Sequence, residues 1–441
     1  MTNQHISIED AIHKLEIAQK VFQKNKNIIE NRPKDKIRKV AEILLAKETE
    51  FAKIISSEMG KPLKESNAEI EKSALNCNFY ADHCDDFLAD RHYSTDKYNA
   101  IVRYEPLGVI LGVMPWNFPF WQVFRFAVPT ILAGNSVVVK HASNVPESAM
   151  AIERIFLEAG FEPGTYQNLP LESKDVSKLI EHPYIKAVSL TGSEKAGSSV
   201  ASAAGKSIKK SVLELGGSNA FIVMNDADMD DAIEKGMNAR FRNAGQSCIA
   251  AKRFLIQDGI YNRFLEEFTK KVKALKMGDP FDAETDIGPL ARVDLAEELE
   301  RQVNESVKMG AKLICGGKRN GAFYEPSVIV DVTGEMPVFR EETFGPLAVF
   351  VRFNSFEEAV ELSNQTAFGL GVSVFTSEVD KMSEKAYLFE EGSVFFNQLV
   401  RSDPKLPFGG VKHSGFGREL SEDGIREFVN TKTIVTATLP S

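Results

Sequence analysis

Short apolar runs that alternate with helical stretches are the feature that most restricts the fold of this chain. From about residue 100 the runs GVILGVM, NSVVVK, AVSLTG and NAFIVM are bounded by Gly, Pro or Asn, and helical patterns at 147–160 and 194–204 lie between them. Continuous apolar strands alternating with helices are typical of a parallel sheet that is covered on both faces. The sequence therefore predicts a doubly wound α/β domain.

The regions before and after this pattern predict further elements. Residues 8–90 have apolar side chains at helical spacing, with a stop at Gly60. After Cys248 a second series of strands and helices predicts a second α/β domain, joined to the first near Gly216 and Gly217. The tail TKTIVTATLP alternates β-branched residues without a nearby hairpin partner, so we expect a terminal strand that adds to another subunit's sheet.

The composition excludes several classes of protein. The 441 residues are 43% hydrophobic, carry a formal net charge of -9 and contain no basic run, which argues against nucleic-acid and membrane partners. The N-terminus is charged where a signal peptide needs an apolar segment, and four cysteines show no CxxC spacing, so we expect a cytoplasmic protein. Scattered histidines and the lack of a GxSxG motif argue against a metal site and a serine hydrolase.

Four polar residues lie in surroundings where each has a structural and a chemical explanation. Arg125 is the single charge within residues 107–139, so it needs a partner, for which a protein carboxylate is one explanation. Asn117 is either a helix cap or a donor to an oxyanion, and Glu214 is either turned to solvent or a buried base. Cys248 is either an inert buried thiol or a nucleophile, and its small, polar neighbours favour the second interpretation.

The stretch SLTGSEKAG places Gly192 and Gly197 between an apolar strand and a helix. A nucleoside triphosphate loop requires lysine after the second glycine, where this chain has Ser198. A dinucleotide pyrophosphate at the helix N-terminus remains open, because backbone N–H groups and the helix dipole attract it without a lysine.

Seven motifs together resemble one family. PWNFP, VVVK, TGSEKAG, LELGG, GQSC, EETFGP and PFGGVKHSGFGRE occur in this order over nearly the whole chain, which resembles the NAD(P)-dependent aldehyde dehydrogenase superfamily. Within it, the stretches PWNFPFWQVFRFAVP and KMGDPFDAETDIGPLAR resemble the short bacterial succinate-semialdehyde dehydrogenases. The resemblance implies two doubly wound α/β domains plus a small oligomerisation strand extension, in a homodimer or homotetramer. The implied division is a dinucleotide-binding domain of 1–87, 104–216 and 410–432, a catalytic domain of 217–409, and an oligomerisation segment of 88–103 and 433–441.

The resemblance also implies roles for individual residues. Cys248 would be the nucleophile, Glu214 the base that activates water, and Asn117 with the Cys248 backbone N–H the oxyanion hole. A glutamate that favours NAD in the family is replaced here by Ser143, so we expect both NAD and NADP to be used. The implied cofactor-binding residues are Trp116, Lys140, Ser143, Gly192, Ser193, Gly197, Glu342 and Phe344.

The implied substrate is a small aldehyde that carries a carboxylate. Arg125, Arg242 and Ser402 match the positions that hold the carboxylate of succinic semialdehyde in the resembled enzymes, and Arg401 adds a charge without an assigned role. Oxidation of another small aldehyde is the nearest alternative. Two other classes are a thiol hydrolase that uses Cys248 and Glu214 without a cofactor, and a catalytically silent binding or structural protein on the same scaffold.

Overall fold

The computed structural model describes residues 5–26 and 32–437. Fifteen α-helices lie within these ranges. They are α1 Ile8–Asn25, α2 Lys34–Ala46, α3 Glu48–Met59, α4 Leu63–Phe87, α5 Trp121–Leu132, α6 Pro146–Glu158, α7 Val176–Glu181, α8 Glu194–Lys206, α9 Met229–Phe241, α10 Asp258–Ala274, α11 Val293–Lys308, α12 Pro337–Arg340, α13 Phe356–Asn364, α14 Val379–Ser383 and α15 Ser421–Arg426.

Twenty strands complete the described part of the chain. They are β1 Arg91–Ser94, β2 Tyr98–Pro106, β3 Val109–Met114, β4 Ser136–His141, β5 Tyr166–Asn168, β6 Ile185–Thr191, β7 Lys210–Glu214, β8 Asn219–Val223, β9 Ala251–Gln257, β10 Lys312–Cys315, β11 Arg319–Asn320, β12 Phe323–Tyr324, β13 Ser327–Val330, β14 Leu347–Phe353, β15 Phe368–Gly369, β16 Val372–Phe375, β17 Val394–Phe396, β18 Val411–Lys412, β19 Gly415–Phe416 and β20 Val429–Ala437.

The N-terminal helices agree with the sequence pattern. Helices α1 to α4 occupy most of residues 8–87, and α3 ends where predicted, at Gly60. Gly60 has a φ of 77°, a left-handed conformation that glycine adopts without steric cost and that commonly ends a helix. The helical prediction for this region is therefore confirmed.

The first large sheet has six strands in the order β19-β7-β6-β3-β4-β5, all parallel except β19. Alternate side chains of β3 enter different apolar layers: Ile110 packs into the layer that contains α4 and α5, whereas Val109 and Leu111 pack into the layer that contains α1 and α8. Both faces are therefore covered, which confirms the doubly wound arrangement.

Strand β3 marks the point where this sheet changes direction. The chain runs outwards from β3 to β4 and β5, then returns to place β6 on the other side of β3. In open α/β sheets, ligands bind in the crevice at the carboxyl ends of the strands that flank such a point. The loops that follow β3 and β6 are consequently the first place to look for a ligand.

The second large sheet contains strands predicted after Cys248, together with β8, whose run NAFIVM the sequence pattern grouped with the first series. Its order is β10-β13-β14-β9-β8-β16-β17, and only the edge strand β10 runs antiparallel to its neighbour within the described chain. The chain passes from β7 of the first sheet to β8 of this one through Gly216 and Gly217, as expected.

A third sheet contains the C-terminal strand. β20 pairs antiparallel with β2 of its own chain over nine residue pairs, and β1 continues the sheet on the other side of β2. The predicted strand is thus present, but its observed partner lies some 330 positions earlier in the same chain, which no local pattern could show. Addition of another subunit's strand and the exact domain divisions stay predictions, and residues 438–441 lie outside the described ranges.

None of the helices in 5–26 and 32–437 is both long and apolar enough to cross a membrane.

Candidate active site

The two large sheets meet end to end at the predicted catalytic pair. Glu214 is the last residue of β7, so it lies at the carboxyl end of the first sheet, while Cys248 lies three residues before β9 and therefore at the amino end of the second. The two side chains are close enough that the charge of Glu214 affects the pKa of Cys248. The structure thus brings together two residues that are 34 positions apart in sequence.

The loop before Cys248 has an unusual backbone. Asn243, Ala244 and Gly245 have φ values of 54°, 51° and 75°, three consecutive residues in the left-handed region. A side chain at Gly245 would also place its Cβ 2.3 Å from the carbonyl oxygen of Gly345. Strained conformations of this kind persist only where the surroundings hold them, and they concentrate at functional sites.

Side-chain amides hold this loop in place. Asn243 Nδ2 donates to the carbonyl oxygens of Asn117 and Gln246 at 3.0 and 3.1 Å, and Asn117 Nδ2 donates to the same Gln246 oxygen at 3.1 Å. Helix α5 begins without a side-chain cap, so capping this helix is not the role of Asn117. Instead, Asn117 lies against the cysteine loop, and its role as an oxyanion donor stays a prediction.

Lys252 binds the backbone of the loop that contains Cys248, a contact that the sequence pattern did not predict. Its buried ammonium group donates to the carbonyl oxygens of Ser247 and Cys248, both at 2.8 Å, and forms an ion pair with Glu342 at 2.9 Å. Burial raises the pKa of the Cys248 thiol to about 11, and the charge of Lys252 opposes this shift. In this state Cys248 is a thiol at neutral pH, and its attack requires loss of a proton.

Glu214 has the environment of a strong base. Its side chain is 1% exposed, and neither carboxylate oxygen has a hydrogen-bond partner among the described residues. Burial, followed by the nearby carboxylate of Glu419, raises the pKa of Glu214 well above its usual range. Gly409 provides the room, because a Cβ there would lie 2.8 Å from Glu214 Oε1. Of the two interpretations of Glu214, the buried carboxylate is therefore the one that the structure shows.

The predicted phosphate-binding residues lie at the change of direction in the first sheet. Gly192 follows β6, and Ser193 caps α8 by accepting a hydrogen bond from the Ala196 backbone at 3.4 Å. Gly197 lets α8 approach the sheet closely, because a Cβ there would lie 2.7 Å from Leu215. The N-terminus of a 13-residue helix thus faces the crevice where ligands of such sheets bind.

The remaining predicted cofactor residues surround the same crevice. Lys140 is the residue before His141, the last of β4, and donates to Ser173 Oγ at 3.1 Å, and Ser143 is exposed in the following loop. Trp116 packs edge-on against Phe344, with 5.8 Å between the ring centroids. Glu342 Oε1 accepts a hydrogen bond from the Gly217 backbone at 3.0 Å in addition to its ion pair with Lys252.

A cavity of about 280 Å³ opens beside Cys248. This is the lower end of the size range of small-molecule sites, so it fits a short substrate. The predicted carboxylate-binding residues Arg125, Arg242 and Ser402 all line it, as does Arg401. The side chain of Arg242 is exposed, and no carboxylate of a described residue forms an ion pair with it.

Arg125 has a different partner from the one expected. Its guanidinium group is paired with the buried carboxylate of Glu419 and lies 4.8 Å from the centre of the Phe408 ring. The protein carboxylate considered for this arginine is therefore present, because an arginine at 2% exposure needs a counter-charge even before a substrate arrives. Contact between Arg125 and a substrate stays a prediction.

Lys72 is the second residue that sequence reasoning missed. It extends from α4 into the same cavity. A lysine on a helix with other charged residues has no pattern that distinguishes it from a solvated one. Lys72 reaches the cavity because α4 packs against α5 and lies near the segment that contains Ser402.

Comparison with known proteins agrees with this geometry. The chain is 47% identical over 424 residues to a probable succinate-semialdehyde dehydrogenase [NADP(+)] of Synechocystis sp., covering 96% of this chain and 93% of that protein. It is 45% identical over 403 residues to a succinate semialdehyde dehydrogenase [NAD(P)+] of Escherichia coli, covering 91% and 87%.

Solved structures have the same fold. The succinic semialdehyde dehydrogenase of Streptococcus pyogenes, solved in complex with NADP+, superposes with a TM-score of 0.97 at 38% identity and covers 99% of this chain and 97% of that one. The model of the aldehyde dehydrogenase family matches residues 1–434. The chain therefore belongs to the aldehyde dehydrogenase family.

Proposed function

We propose that this protein oxidises succinic semialdehyde, or a similar short aldehyde with a carboxylate, with NAD+ or NADP+ as the hydride acceptor. One observation carries the proposal: Cys248, Arg242 and Ser402 line the same cavity. The Cys248 thiol can react with the aldehyde group of such a substrate, while the Arg242 guanidinium and the Ser402 hydroxyl can bind its carboxylate. The names of the relatives support the same substrate and cofactors.

The acylation half of the reaction follows from the cysteine loop. Cys248 Sγ first gives its proton to the nearby Glu214 carboxylate or to water, and attack of the resulting thiolate on the aldehyde carbon then places a negative charge on the aldehyde oxygen. Asn117 would donate to that oxygen, and its bond to Gln246 in this loop supports the role. Lys252 holds the carbonyl groups of Ser247 and Cys248 and thereby orients the loop for attack.

The residues of the crevice fit a dinucleotide. The N-terminus of α8 after Gly192 would hold the pyrophosphate, Lys140 a ribose hydroxyl, and Glu342 with Phe344 the nicotinamide riboside. Two observations support this fit: Gly197 allows α8 to pack closely against Leu215, and the Lys140 amine is buried near the end of β4. A bound nicotinamide supplies the acceptor for the hydride of the aldehyde carbon.

Glu214 completes the reaction. After oxidation the acyl group on Cys248 Sγ is a thioester, which an activated water molecule hydrolyses readily. The buried, unpartnered carboxylate of Glu214 has a raised pKa, which makes it a stronger proton acceptor than a solvated glutamate. It removes a proton from water while the water oxygen attacks the thioester carbon, and the C–S bond then breaks to release the acid and the Cys248 thiolate.

The proposal is tested by measuring the activity of the purified enzyme with two aldehydes. We expect kcat/KM for succinic semialdehyde to exceed that for butanal, which has four carbons and no charge, with either NADP+ or NAD+. Equal use of both aldehydes would contradict a carboxylate site. Lack of reduced cofactor with every aldehyde, together with thioester hydrolysis, would favour the cofactor-free thiol hydrolase.

We also propose a cytoplasmic location and a homodimer or homotetramer. All four cysteines are free thiols, as is usual in a reducing compartment. Most side chains of β1 and β20 are exposed, and β20 is an edge strand among the described strands, so a second copy has backbone groups to bind there. Light scattering of the purified protein measures its oligomeric state.

A further inference from the structure

Lys72 is a cation in the substrate cavity for which the reaction has so far assigned no role. It extends from α4, lines the cavity together with Cys248, and donates a hydrogen bond to Ser402 Oγ at 2.8 Å. Its ammonium nitrogen lies 4.0 Å from the centre of the Trp121 ring. Within residues 5–26 and 32–437, no carboxylate is near enough to form an ion pair with it.

The nearest acidic residues of the cavity are occupied elsewhere. Glu69, one turn before Lys72 on α4, pairs with Lys61 and accepts hydrogen bonds from the Phe120 and Trp121 backbones at 2.9 and 3.0 Å. Asp403, the other carboxylate whose charge acts on Lys72, pairs with Arg401 at 3.8 Å. A partly buried cation without its own counter-ion is costly, and a ligand carboxylate removes that cost when it binds.

The hydrogen bond between Lys72 and Ser402 leaves donors on both side chains free to bind a ligand. Lys72 donates one of its three hydrogens to Ser402 Oγ. Because Ser402 accepts this bond, its own hydroxyl hydrogen remains available, and the lysine retains further donors. A carboxylate at this point therefore meets donors from both side chains at once.

We propose that Lys72 binds the carboxylate of the substrate directly, beside Arg242 and Ser402, and so helps to select carboxylated aldehydes over neutral ones. The assignment rests on the proposed function, because it concerns the same cavity and the same substrate class. It adds a contact from the N-terminal helices to a site otherwise built from α5, the cysteine loop and the segment before Phe408.

The proposal has a consequence for pH dependence. Burial, and then the charges of Arg242 and Arg125, lower the pKa of Lys72 to about 7, whereas the charges of Glu69 and Asp403 oppose the shift. Lys235 and Arg401 also line the cavity. Only the protonated amine attracts a carboxylate, so the preference for succinic semialdehyde over butanal should be greatest near pH 6 and decrease as the pH rises through the pKa of Lys72.

The test measures kcat/KM for succinic semialdehyde and for butanal between pH 6 and pH 9. The ratio of the two values removes effects of Cys248 and Glu214 that both aldehydes share. Lys72→Met should lower the ratio at pH 6 by about 10- to 100-fold, mainly through KM, the usual effect of losing a hydrogen bond to a charged group. Lys72→Arg should keep a high ratio and lose its decline with pH.

A matched control and a binding measurement complete the test. Lys64→Met removes a cation from the same helix, but Lys64 does not line the cavity and pairs with Asp286 at 3.0 Å, so the ratio should change less than threefold. Titration of succinate into Cys248→Ala protein, with butyrate for comparison, should show weaker succinate binding when Lys72→Met is added.

Two results would overturn the assignment. A ratio at pH 6 that Lys72→Met leaves unchanged removes Lys72 from the carboxylate site, and a pH decline that persists in Lys72→Arg assigns the titration to another group, such as Glu419. Failure of the proposed function is a separate outcome, because the unmodified enzyme would then show no preference between the two aldehydes at any pH.

Discussion

Glu419 and Arg125 form an ion pair in the interior of the chain, with both side chains almost fully buried. Removal of one partner leaves an uncompensated buried charge. We therefore expect Arg125→Ala to destabilise the fold by about 3–5 kcal/mol, in addition to any effect on substrate binding. Urea denaturation measures the loss, and Arg125→Met combined with Glu419→Gln should recover part of it; an unchanged midpoint for Arg125→Ala would contradict the pairing.

Arg242 offers a cleaner test of the carboxylate site because its side chain is exposed and forms no ion pair with any residue of the described ranges. Arg242→Ala should fold normally and reduce the preference for succinic semialdehyde over butanal by about 1 kcal/mol, the upper end of the usual contribution of a solvent-exposed ion pair. Arg292→Ala is a suitable control, because Arg292 is also partly exposed but pairs with Asp294. An unchanged preference in Arg242→Ala would leave this arginine with an electrostatic role toward Cys248 only.

Cys248→Ala should abolish aldehyde oxidation while the protein still binds NADP+, because the nucleophile is lost and the α8 N-terminus is intact. Quenching of tryptophan fluorescence follows binding, and Trp116 next to Phe344 is well placed to report it. Cys315→Ala, a partly buried thiol in β10, should retain activity. Full turnover by Cys248→Ala would remove the proposed mechanism.

Glu214→Gln should slow deacylation more than acylation and produce a burst of reduced cofactor followed by a weak steady state. Since burial raises the pKa of Glu214, its basic form increases as the pH rises through that raised value. The deacylation rate of the unmodified enzyme should therefore increase with pH, and that of Glu214→Gln should not. Rapid-mixing absorbance measurements separate the two phases; absence of a burst in the variant would argue against the assignment.

Asn117→Ala should lower kcat by about 10² to 10³, the usual effect of losing one oxyanion donor. The variant also loses the bond to Gln246, so its thermal midpoint should be measured beside its activity. A decrease of less than threefold would mean that Asn117 only holds the cysteine loop.

Ser143 should influence the choice between NAD+ and NADP+. Ser143→Glu adds a group that accepts a bond from the 2′-hydroxyl of NAD+ and repels the 2′-phosphate of NADP+. We expect the ratio of kcat/KM for NADP+ to that for NAD+ to fall by about tenfold or more, a difference of about 1.4 kcal/mol. Ser143→Gln, similar in size but uncharged, is the control, and equal effects of both substitutions would point to steric hindrance.

The sequence by itself determined the parts of this protein that depend on local pattern. Alternating apolar runs predicted two covered parallel sheets, and Gly60 marked the end of α3. The residue types around Cys248, and the ordered motifs, pointed to the family before any contact was known. These predictions succeeded because strand burial, helix capping and loop chemistry depend on residues within a few positions of one another.

Only the tertiary structure decided which distant groups share a site. It paired Arg125 with Glu419, joined β20 to β2, and placed Lys72 in the cavity and Lys252 behind Cys248. Each of these outcomes depends on where helices and strands pack after the chain has folded. The spacing of side chains along the sequence does not predict such contacts, because a partner tens or hundreds of residues away does not change the local pattern.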